Sequence, residues 1–267
     1  SSPVNGTLGT NTIHTYTITD NDSFGNSGPA GVGGSSNNLL WLKSEDLSLS
    51  DDDDVTAWSD ASGNSNDLTQ ETASLAPVFK TNILNGYSVV RFNKTNNRIR
   101  KTNFSFATSE ITVFYVGKTL DSGEGVISYN SDGNDNDFLL FDSNALRLIR
   151  GSNAVTTSVD LNDDNWHVTS AKWRSSDGNF EIWNNGTISS GTNGAGALIS
   201  TGGTLAIGGE QDTVDGGYQE SQAHEGDFSE VIIYNSYLNK AQQIIVSNYL
   251  AAKYNITLSD NNLVPEA

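Results

Sequence analysis

The stretch 225-EGDFSEVIIYNSYLNKAQQIIVSNYLAAKYNITL-258 gives the strongest indication of the fold. Its Ser229–Tyr234 segment is the most apolar strand pattern in the chain. Between Leu238 and Tyr254, apolar residues recur at spacings of three and four, which predicts a helix. We expect Asn235 or Ser236 to precede the helix cap. A buried strand followed directly by one helix predicts a helix packed across the edge of a large antiparallel sandwich.

The composition also indicates an all-β domain. Only 35% of the 267 residues are hydrophobic, and Gly, Ser, Thr, Asn and Asp are abundant, as expected for short strands joined by turns. Alternating apolar residues predict strands at Gly86–Phe92, Glu110–Lys118 and Trp166–Trp173. The segments Ser175–Asn179 and Asn184–Gly186 predict hairpin turns, because Asp-Gly and Asn-Gly suit positive-φ conformations.

The formal net charge of −18, from 32 acidic and 14 basic residues, limits the partners of this chain. It argues against nucleic acid and anionic membranes, which are bound by clustered Lys and Arg. No apolar run is long enough to predict membrane insertion. The absence of Cys excludes a disulfide framework and a thiolate site. We expect an extracellular location, where calcium meets carboxylate-rich loops.

The domain organisation is predicted from a change in composition near the N-terminus. Residues 1–22 are expected to be the last strand of a preceding β-sandwich repeat, because a single strand cannot form a domain. Their ending, TYTITDND, resembles the end of Calx-beta repeats. Residues 23–37 are predicted to be a flexible linker, 38–260 the main domain and 261–267 a tail. The absence of Met suggests a piece of a longer protein with neighbouring domains.

One loop of the main domain is a candidate calcium site. The sequence DASGNSND, residues 60–67, alternates oxygen-bearing side chains around a glycine. Calcium takes six to eight oxygen ligands from such loops, and Asp60, Asn64, Asn66 and Asp67 are the candidate ligands for a structural ion. The alternative is an Asx-turn network, in which these side chains bond to their own backbone. The sequence leaves both interpretations open.

Two further polar segments are candidates for ligand binding. Ser131–Asp137 resembles the start of an EF-hand loop, but it lacks the required Gly and Glu, so we predict a solvated hairpin tip, with a weak ion or glycan site as the alternative. Glu210–Tyr218 is a long polar loop after a core strand, where binding sites often lie. Aromatic, Asp and Asn side chains suit sugar recognition. The candidate binding residues are Tyr129, Asn134, Asp212, Asp215 and Tyr218.

Six segments occur in the order found in laminin-G-like domains of the concanavalin A-like lectin/glucanase superfamily, over roughly residues 38–258. They are NNLLWLKSEDL, AWSDASGNSNDLTQ, GYSVVRF, WHVTSAKWRSSDGNFEIWNNG, LAIGG and the stretch from Phe228 to Leu258. The resemblance implies an all-β jelly-roll sandwich of two antiparallel sheets with one C-terminal helix. It also implies a secreted or cell-surface protein, as in Bacteroidetes-type bacteria.

The function implied by this resemblance is noncatalytic binding of a polysaccharide or cell-surface glycan, or adhesion. A structural spacer or display domain of a surface appendage is the alternative from another class. Fold alone does not choose between them, because this superfamily includes lectins, adhesins and glycoside hydrolases.

The glucanase branch also offers a catalytic hypothesis. Glu225, Asp227 and Glu230 match its E-x-D-x-x-E spacing, in which two carboxylates lie ~5–5.5 Å apart. Ideal strand alternation places Glu225 and Asp227 on one face and Glu230 on the other, so only a β-bulge would bring all three together. The helix follows at once, and the preceding SQAHEGD lacks the expected aromatic residues. We therefore expect no catalytic residues, and a structural role for Glu230.

Overall fold

The computed structural model describes residues 28–132 and 134–259, without the side chains of residues 107 and 108. The strand expected within residues 1–22, the first part of the linker and the tail at 261–267 lie outside the described residues. Within those ranges the chain forms two eight-stranded antiparallel sheets and one α-helix. The predicted sandwich of two antiparallel sheets with one C-terminal helix is confirmed.

The first sheet is built around one strand near the C-terminus, β16 (Glu225–Tyr234), which pairs on both sides. In spatial order, this sheet contains β14 (Thr187–Thr192), β13 (Asn179–Asn184), β12 (His167–Arg174), β7 (Glu110–Thr119), β16, β5 (Tyr87–Asn93) and β4 (Val78–Leu84), and β1 (Asn38–Lys43) also pairs with β16.

The second sheet carries the hairpin at residues 131–137. In spatial order, it contains β11 (Asn153–Thr156), β10 (Arg147–Arg150), β9 (Asn134–Phe141), β8 (Gly125–Ser131), β15 (Ile199–Ile207), β6 (Ile99–Thr108), β3 (Leu68–Thr69) and β2 (Ala57–Trp58).

The main core lies between the two sheets. Its largest fully buried side chains include Trp58, Trp173 and Phe228. Burial of each such side chain stabilises the fold by roughly 2 kcal/mol relative to exposure. The predicted hairpins are also present: β12 pairs with β13, and β13 with β14 through Asn185 and Gly186, both at positive φ. These turns match the twist of the strands that they join.

Strand β16 carries a β-bulge where its register against β7 shifts between Phe228 and Glu230. Phe228 and Val231, three residues apart, both face the main core, whereas Ile232 and Tyr234 face outward, toward the helix. The extra residue at the bulge therefore reverses the alternation of side chains along the strand.

The helix α1 (Lys240–Tyr254) covers the outer face of the first sheet. It begins two residues later than predicted, and its N-cap residue is Asn239, which follows Asn235 and Ser236. The Asn239 side chain accepts from the Gln242 amide at 3.0 Å, and the Gln242 side chain accepts from the Asn239 amide at 3.1 Å, which forms a capping box. No helix in the described part of the chain is long and apolar enough to cross a membrane.

Residues 28–37, which composition assigned to the flexible linker, contact the sandwich. Val32 is buried in the cluster beneath α1, and the Asn37 carbonyl accepts from the Asn235 amide at 2.9 Å. The physical reason is that Val32 covers apolar side chains on the outer face of the first sheet. The Gly- and Ser-rich sequence around Val32 gave no indication of this contact.

Candidate functional site

A depression on the outer face of the second sheet gathers acidic and amide side chains from three segments. The segments pack against β8, where Tyr129 faces the core and its neighbours Ser128 and Asn130 face outward. After β15, the chain folds back over this strand. The Gln211 side-chain amide donates to the Ser128 hydroxyl at 2.9 Å and to the Thr204 carbonyl at 2.8 Å.

The close approach of this folded-back segment depends on Gly125. A Cβ atom at Gly125 would lie only 2.5 Å from the backbone nitrogen of Glu210. Real Cβ atoms essentially never come so close to another backbone, so only glycine fits here. The segment therefore holds Glu210 against the sheet, and Glu210 is only 3% exposed.

The second segment is the tip of the β8–β9 hairpin. Asn136 has a left-handed φ of 53°, and its amide donates to the Asn130 side-chain oxygen at 2.9 Å. The Asn130 side-chain nitrogen donates to the Asp135 carboxylate at 3.1 Å. These bonds hold Asp135 and Asn136 beside the segment that carries Glu210.

The third segment contains a short helical turn at Glu220–Gln222. An isolated antiparallel bridge joins Gly209 to Ala223, and this register places Gln222 next to Glu210. Nearby, the Gln219 side-chain amide donates to the Asp212 carboxylate at 3.0 Å. The loop after β15 and this turn thus form one polar unit.

Three side-chain oxygens of these segments are buried and have no hydrogen-bond partner among the described residues. They are Glu210 Oε2, Asn136 Oδ1 and Gln222 Oε1. Buried polar atoms are normally satisfied, so three unused acceptors in neighbouring segments require an explanation. Burial, together with the negative charges of Asp212 and Asp135, raises the pKa of Glu210 to about 7. The site therefore concentrates negative charge and free oxygen atoms.

This donor set fits a hard divalent cation such as calcium. Among residues 28–132 and 134–259, no group of three His, Cys, Asp or Glu side chains is placed to hold a metal on its own. Calcium, however, also takes amide and carbonyl oxygens among its six to eight ligands. Carboxylates of Asp135, Glu210 and Asp212, with amide oxygens of Asn136 and Gln222, are the groups that could hold it.

Asn134 and Asp212, two of the predicted binding residues, line the same open depression of about 490 Å³. Asp135, one of the candidate cation ligands, also lines this depression. The depression therefore adjoins the candidate cation site. The exposed side chain of Val214 forms an apolar part of its wall.

The structure does not bring the other predicted binding residues to this depression. Tyr129 is fully buried, and its hydroxyl donates to the Ser200 carbonyl at 2.7 Å. Asp215 forms an ion pair with Arg100. The Arg98 guanidinium stacks on the Tyr218 ring at 3.9 Å. The polar groups and ring faces of these residues are thus engaged within the protein.

The predicted calcium loop at residues 60–67 has the hydrogen bonds expected of the Asx-turn alternative. The Asp60 carboxylate accepts from the amides of Trp41 at 2.9 Å, Ser62 at 2.8 Å and Asn66 at 2.9 Å, and from the Ser62 hydroxyl at 2.7 Å. A carboxylate accepts about four hydrogen bonds. All acceptor positions of Asp60 are therefore used within the protein.

The remaining members of that loop also bond to backbone groups. Asp67 accepts from the Asp60 amide at 2.8 Å, and Asn64 donates to the Asn38 carbonyl at 2.7 Å. Asn66 donates to the Leu39 carbonyl at 2.9 Å. Calcium binding at residues 60–67 stays a prediction. The hydrogen bonds of Asp60 do not support it, because they leave no free acceptor on its carboxylate.

The bulge in β16 places Glu225, Asp227 and Glu230 on the same outer face, the arrangement that the catalytic hypothesis needs. Asp227, however, forms a bidentate ion pair with Arg91 at 2.7 and 2.8 Å. Glu230 is fully buried under α1 and accepts from Trp41 Nε1 at 2.6 Å and Lys253 Nζ at 2.7 Å. Both carboxylates are therefore committed to structural contacts.

The comparisons with known proteins agree with this fold. A model of the Pentaxin family matches residues 76–262, a range that includes β4 to β16 and α1. Fold and family together define a lectin-like jelly-roll domain of the concanavalin A-like class. The chain belongs to the pentaxin family. This match confirms the predicted concanavalin A-like class of fold and assigns the chain to the pentaxin family within it. It supports neither a laminin-G-like domain specifically nor a Bacteroidetes source.

Curated relatives are larger proteins of which this chain matches a part. The "Sushi, von Willebrand factor type A, EGF and pentraxin domain-containing protein 1" of Rattus norvegicus is 32% identical over 43% of this chain and 3% of its own length. The neuronal pentraxin receptor of Rattus norvegicus is 27% identical over 60% of this chain and 33% of its own length. The chain thus spans at most about a third of these two relatives.

Solved structures show the same fold at low sequence identity. A heptameric SAP-like pentraxin from Limulus polyphemus has a TM-score of 0.50 and 23% identity, and covers 58% of this chain and 78% of its own. The receptor binding domain of botulinum neurotoxin D has a TM-score of 0.53 and 12% identity, over 82% and 53% of the two chains. A GH54 arabinofuranosidase has a TM-score of 0.54 and 16% identity, and the match covers 74% of this chain and 51% of the arabinofuranosidase chain. At such identities the likeness shows the fold alone.

Sequence reasoning missed Asp135, Asn136, Glu210 and Gln222 as candidate ligands. The first two lie in the segment that was considered for a weak ion site, and Glu210 begins the loop that was considered for ligand binding. Gln222 carried no local signal, because only the bridge between Gly209 and Ala223 places it beside Glu210.

Glu230→Ala is expected to destabilise the protein strongly, because Trp41 and Tyr254 then lose their acceptor and Lys253 keeps only its pair with Glu45. Breaking a buried ion pair in this way costs about 3–5 kcal/mol. The measurement is the free energy of unfolding in urea. Asp177→Ala, which removes an exposed ion pair with Arg174, is the control and should have a much smaller effect. Equal losses in the two variants would show that Glu230 does not anchor the helix.

Glu210 should make stability in EDTA depend on pH. The raised pKa, about 7 against an ordinary 4.5, means that the folded protein retains a proton that the unfolded chain releases. This stabilisation is complete below the ordinary pKa and is lost as pH rises through 7. Between pH ~5 and ~8 the parent should lose about 2.5 kcal/mol more than Glu210→Gln, as measured by urea unfolding. Identical pH profiles would contradict this.

Proposed function

We propose that this pentaxin-family chain is a noncatalytic, calcium-dependent binding module that recognises a polysaccharide or a cell-surface glycan at the depression on the second sheet. The observation that carries the proposal is the unpartnered, buried Oε2 of Glu210, in a segment whose neighbours carry the equally unpartnered Asn136 and Gln222 oxygens. Asp135 and Asp212 of the same segments line a solvent-open depression.

The candidate cation ligands are of two kinds, charged and neutral. Asp135, Glu210 and Asp212 supply negative charge, and the amide oxygens of Asn136 and Gln222 supply neutral ligands. Such mixed oxygen sets are what calcium prefers. When bound, the cation supplies a positive centre to which hydroxyl or anionic oxygens of a ligand can coordinate. Without it, the concentrated carboxylates would repel an anionic ligand.

The rest of the depression suits a polar ligand with apolar patches. Asp132, Asn134 and Thr213 line it and offer donors and acceptors for sugar hydroxyl groups. Val214, which is 40% exposed, gives one apolar surface for the C–H groups of a sugar ring. Polar loops on a rigid sandwich commonly form such binding sites.

The noncatalytic part of the proposal is supported by the contacts of the β16 carboxylates. Asp227 is held by Arg91, and Glu230 is buried beneath α1. The location that we propose is extracellular, as part of a larger protein. The names of two relatives support it, because one combines a pentraxin domain with Sushi and EGF domains and the other is a receptor.

Calcium should raise the thermal stability of the parent protein, and EDTA should reverse the effect. A ligand that binds only the folded state stabilises it by about 2.7 kcal/mol at a concentration 100-fold above its Kd. We expect Glu210→Gln and Asp135→Asn to lose most of the calcium-induced shift in Tm, because each removes a charged ligand.

Asp60→Asn is the matched control for this calcium experiment. It lies in the other candidate loop, where the Asp60 carboxylate is already fully hydrogen bonded. We expect this variant to be less stable than the parent but to keep the full calcium-induced shift. Loss of the shift in Asp60→Asn, with retention in Glu210→Gln, would move the calcium site to residues 60–67.

A glycan array probed with and without EDTA tests the ligand class. We expect binding in calcium that is lost in EDTA and in Glu210→Gln. No binding under either condition would contradict glycan recognition and favour a spacer or display domain. Release of reducing sugar that disappears in Glu225→Gln would contradict the noncatalytic assignment.

A further inference from the structure

We infer that Asn130 is a positioning residue for the cation site, because its buried side chain joins the two segments that carry most of the candidate ligands. The inference rests on the proposed calcium binding and adds a residue that is not itself a candidate ligand. Asn130 lies near the end of β8, next to Ser131, which lines the depression, and Asn130 is fully buried.

The Asn130 side chain makes three hydrogen bonds, and all three go to the segments of the site. Its nitrogen donates to the Asp135 carboxylate at 3.1 Å and to the Gln211 carbonyl. Its oxygen accepts from the Asn136 amide at 2.9 Å. One carboxamide thus connects the hairpin tip, which carries Asp135 and Asn136, to the segment that carries Glu210 and Asp212.

Asparagine is well suited to this position. A carboxamide offers two donors and an acceptor on a short side chain, and here both donors and the acceptor are used. Aspartate would lose both donors and add a negative charge next to Asp135. Alanine would leave the Gln211 carbonyl and the Asn136 amide without these partners. Glutamine has the same polar groups, but its extra methylene group must be accommodated at a fully buried position.

The electrostatics of the site explain why such a connection matters. Asp135 and Asp212 line the same depression, and Glu210 lies two residues before Asp212. Like charges repel, so without a cation the two segments tend to separate. Gln211 anchors one segment to the sheet through Ser128 and Thr204, and Asn130 ties the hairpin tip to that anchored segment. The oxygens are therefore held together before the cation arrives, which lowers the cost of binding.

Asn193 provides a matched control. It is a buried asparagine whose side-chain nitrogen donates to the carbonyls of Leu148 at 2.9 Å and Asn153 at 3.0 Å. Neither of these carbonyls belongs to the three segments of the site. Asn193→Ala and Asn130→Ala both remove a buried carboxamide, so their general effects on stability are comparable, whereas only Asn130 contacts the candidate ligands.

The experiment is isothermal titration of the full chain with calcium chloride alone, with the melting temperature of each variant recorded in EDTA. We expect Asn130→Ala to bind calcium about 10–100-fold more weakly than the parent, the usual effect of removing an outer hydrogen-bond partner of a metal ligand. Asn193→Ala should lower the melting temperature but keep the parent's Kd. If Asn130→Ala does not fold, Asn130→Ser, which keeps a short polar group, replaces it.

The outcomes separate this inference from the calcium proposal on which it rests. If the parent binds calcium and Asn130→Ala binds it with the same Kd, the positioning role is wrong and the calcium site stands. If Asn193→Ala weakens binding as much as Asn130→Ala, the effect is a general loss of stability and the inference also fails. If the parent itself binds no calcium, both the site and the role of Asn130 are wrong.

Discussion

The burial of β16 on both faces is the constraint on which the rest of the structure depends. Its Phe228 and Val231 side chains fill the core between the sheets, and its Ile232 and Tyr234 side chains fill the space beneath α1. A strand covered on both faces needs an apolar residue at nearly every position. Its two buried acidic residues are accommodated by partners: Asp227 pairs with Arg91, and Trp41, Lys253 and Tyr254 surround the Glu230 carboxylate with donors.

The two outer faces of the sandwich therefore differ: that of the first sheet is packed beneath α1, and that of the second sheet carries the candidate site. The first sheet is covered by α1 and by residues 28–37, so its outer face is largely a second core. The second sheet has no such helix in the described part of the chain, and loops fold over its outer face instead. Loops can bring oxygen atoms from distant parts of the sequence together, and the candidate cation site lies there because Gly125 lets residue 210 approach β8.

Much of the fold was predictable from the sequence, because its signals are local. The apolar run in β16, the spacing in α1 and the Asn185–Gly186 turn each reflect one element's own geometry. Short strands were harder: β4 and β14 were not predicted, because VFKTNIL and TISSGT have mixed or weak alternation and depend on pairing with β5 and β13. Propensity in such strands is set by their neighbours.

The candidate site could be predicted only in part. The sequence by itself determined an all-β sandwich with a closing helix, an acidic surface and two polar loops, since composition and periodicity are properties of neighbouring residues. Only the tertiary structure decided which oxygens meet. It satisfied Asp60 within its own turn, and it placed Asn136, Glu210 and Gln222 together through a hairpin, a glycine contact and an isolated bridge. Such convergence depends on long-range backbone pairing, which local residue patterns do not encode.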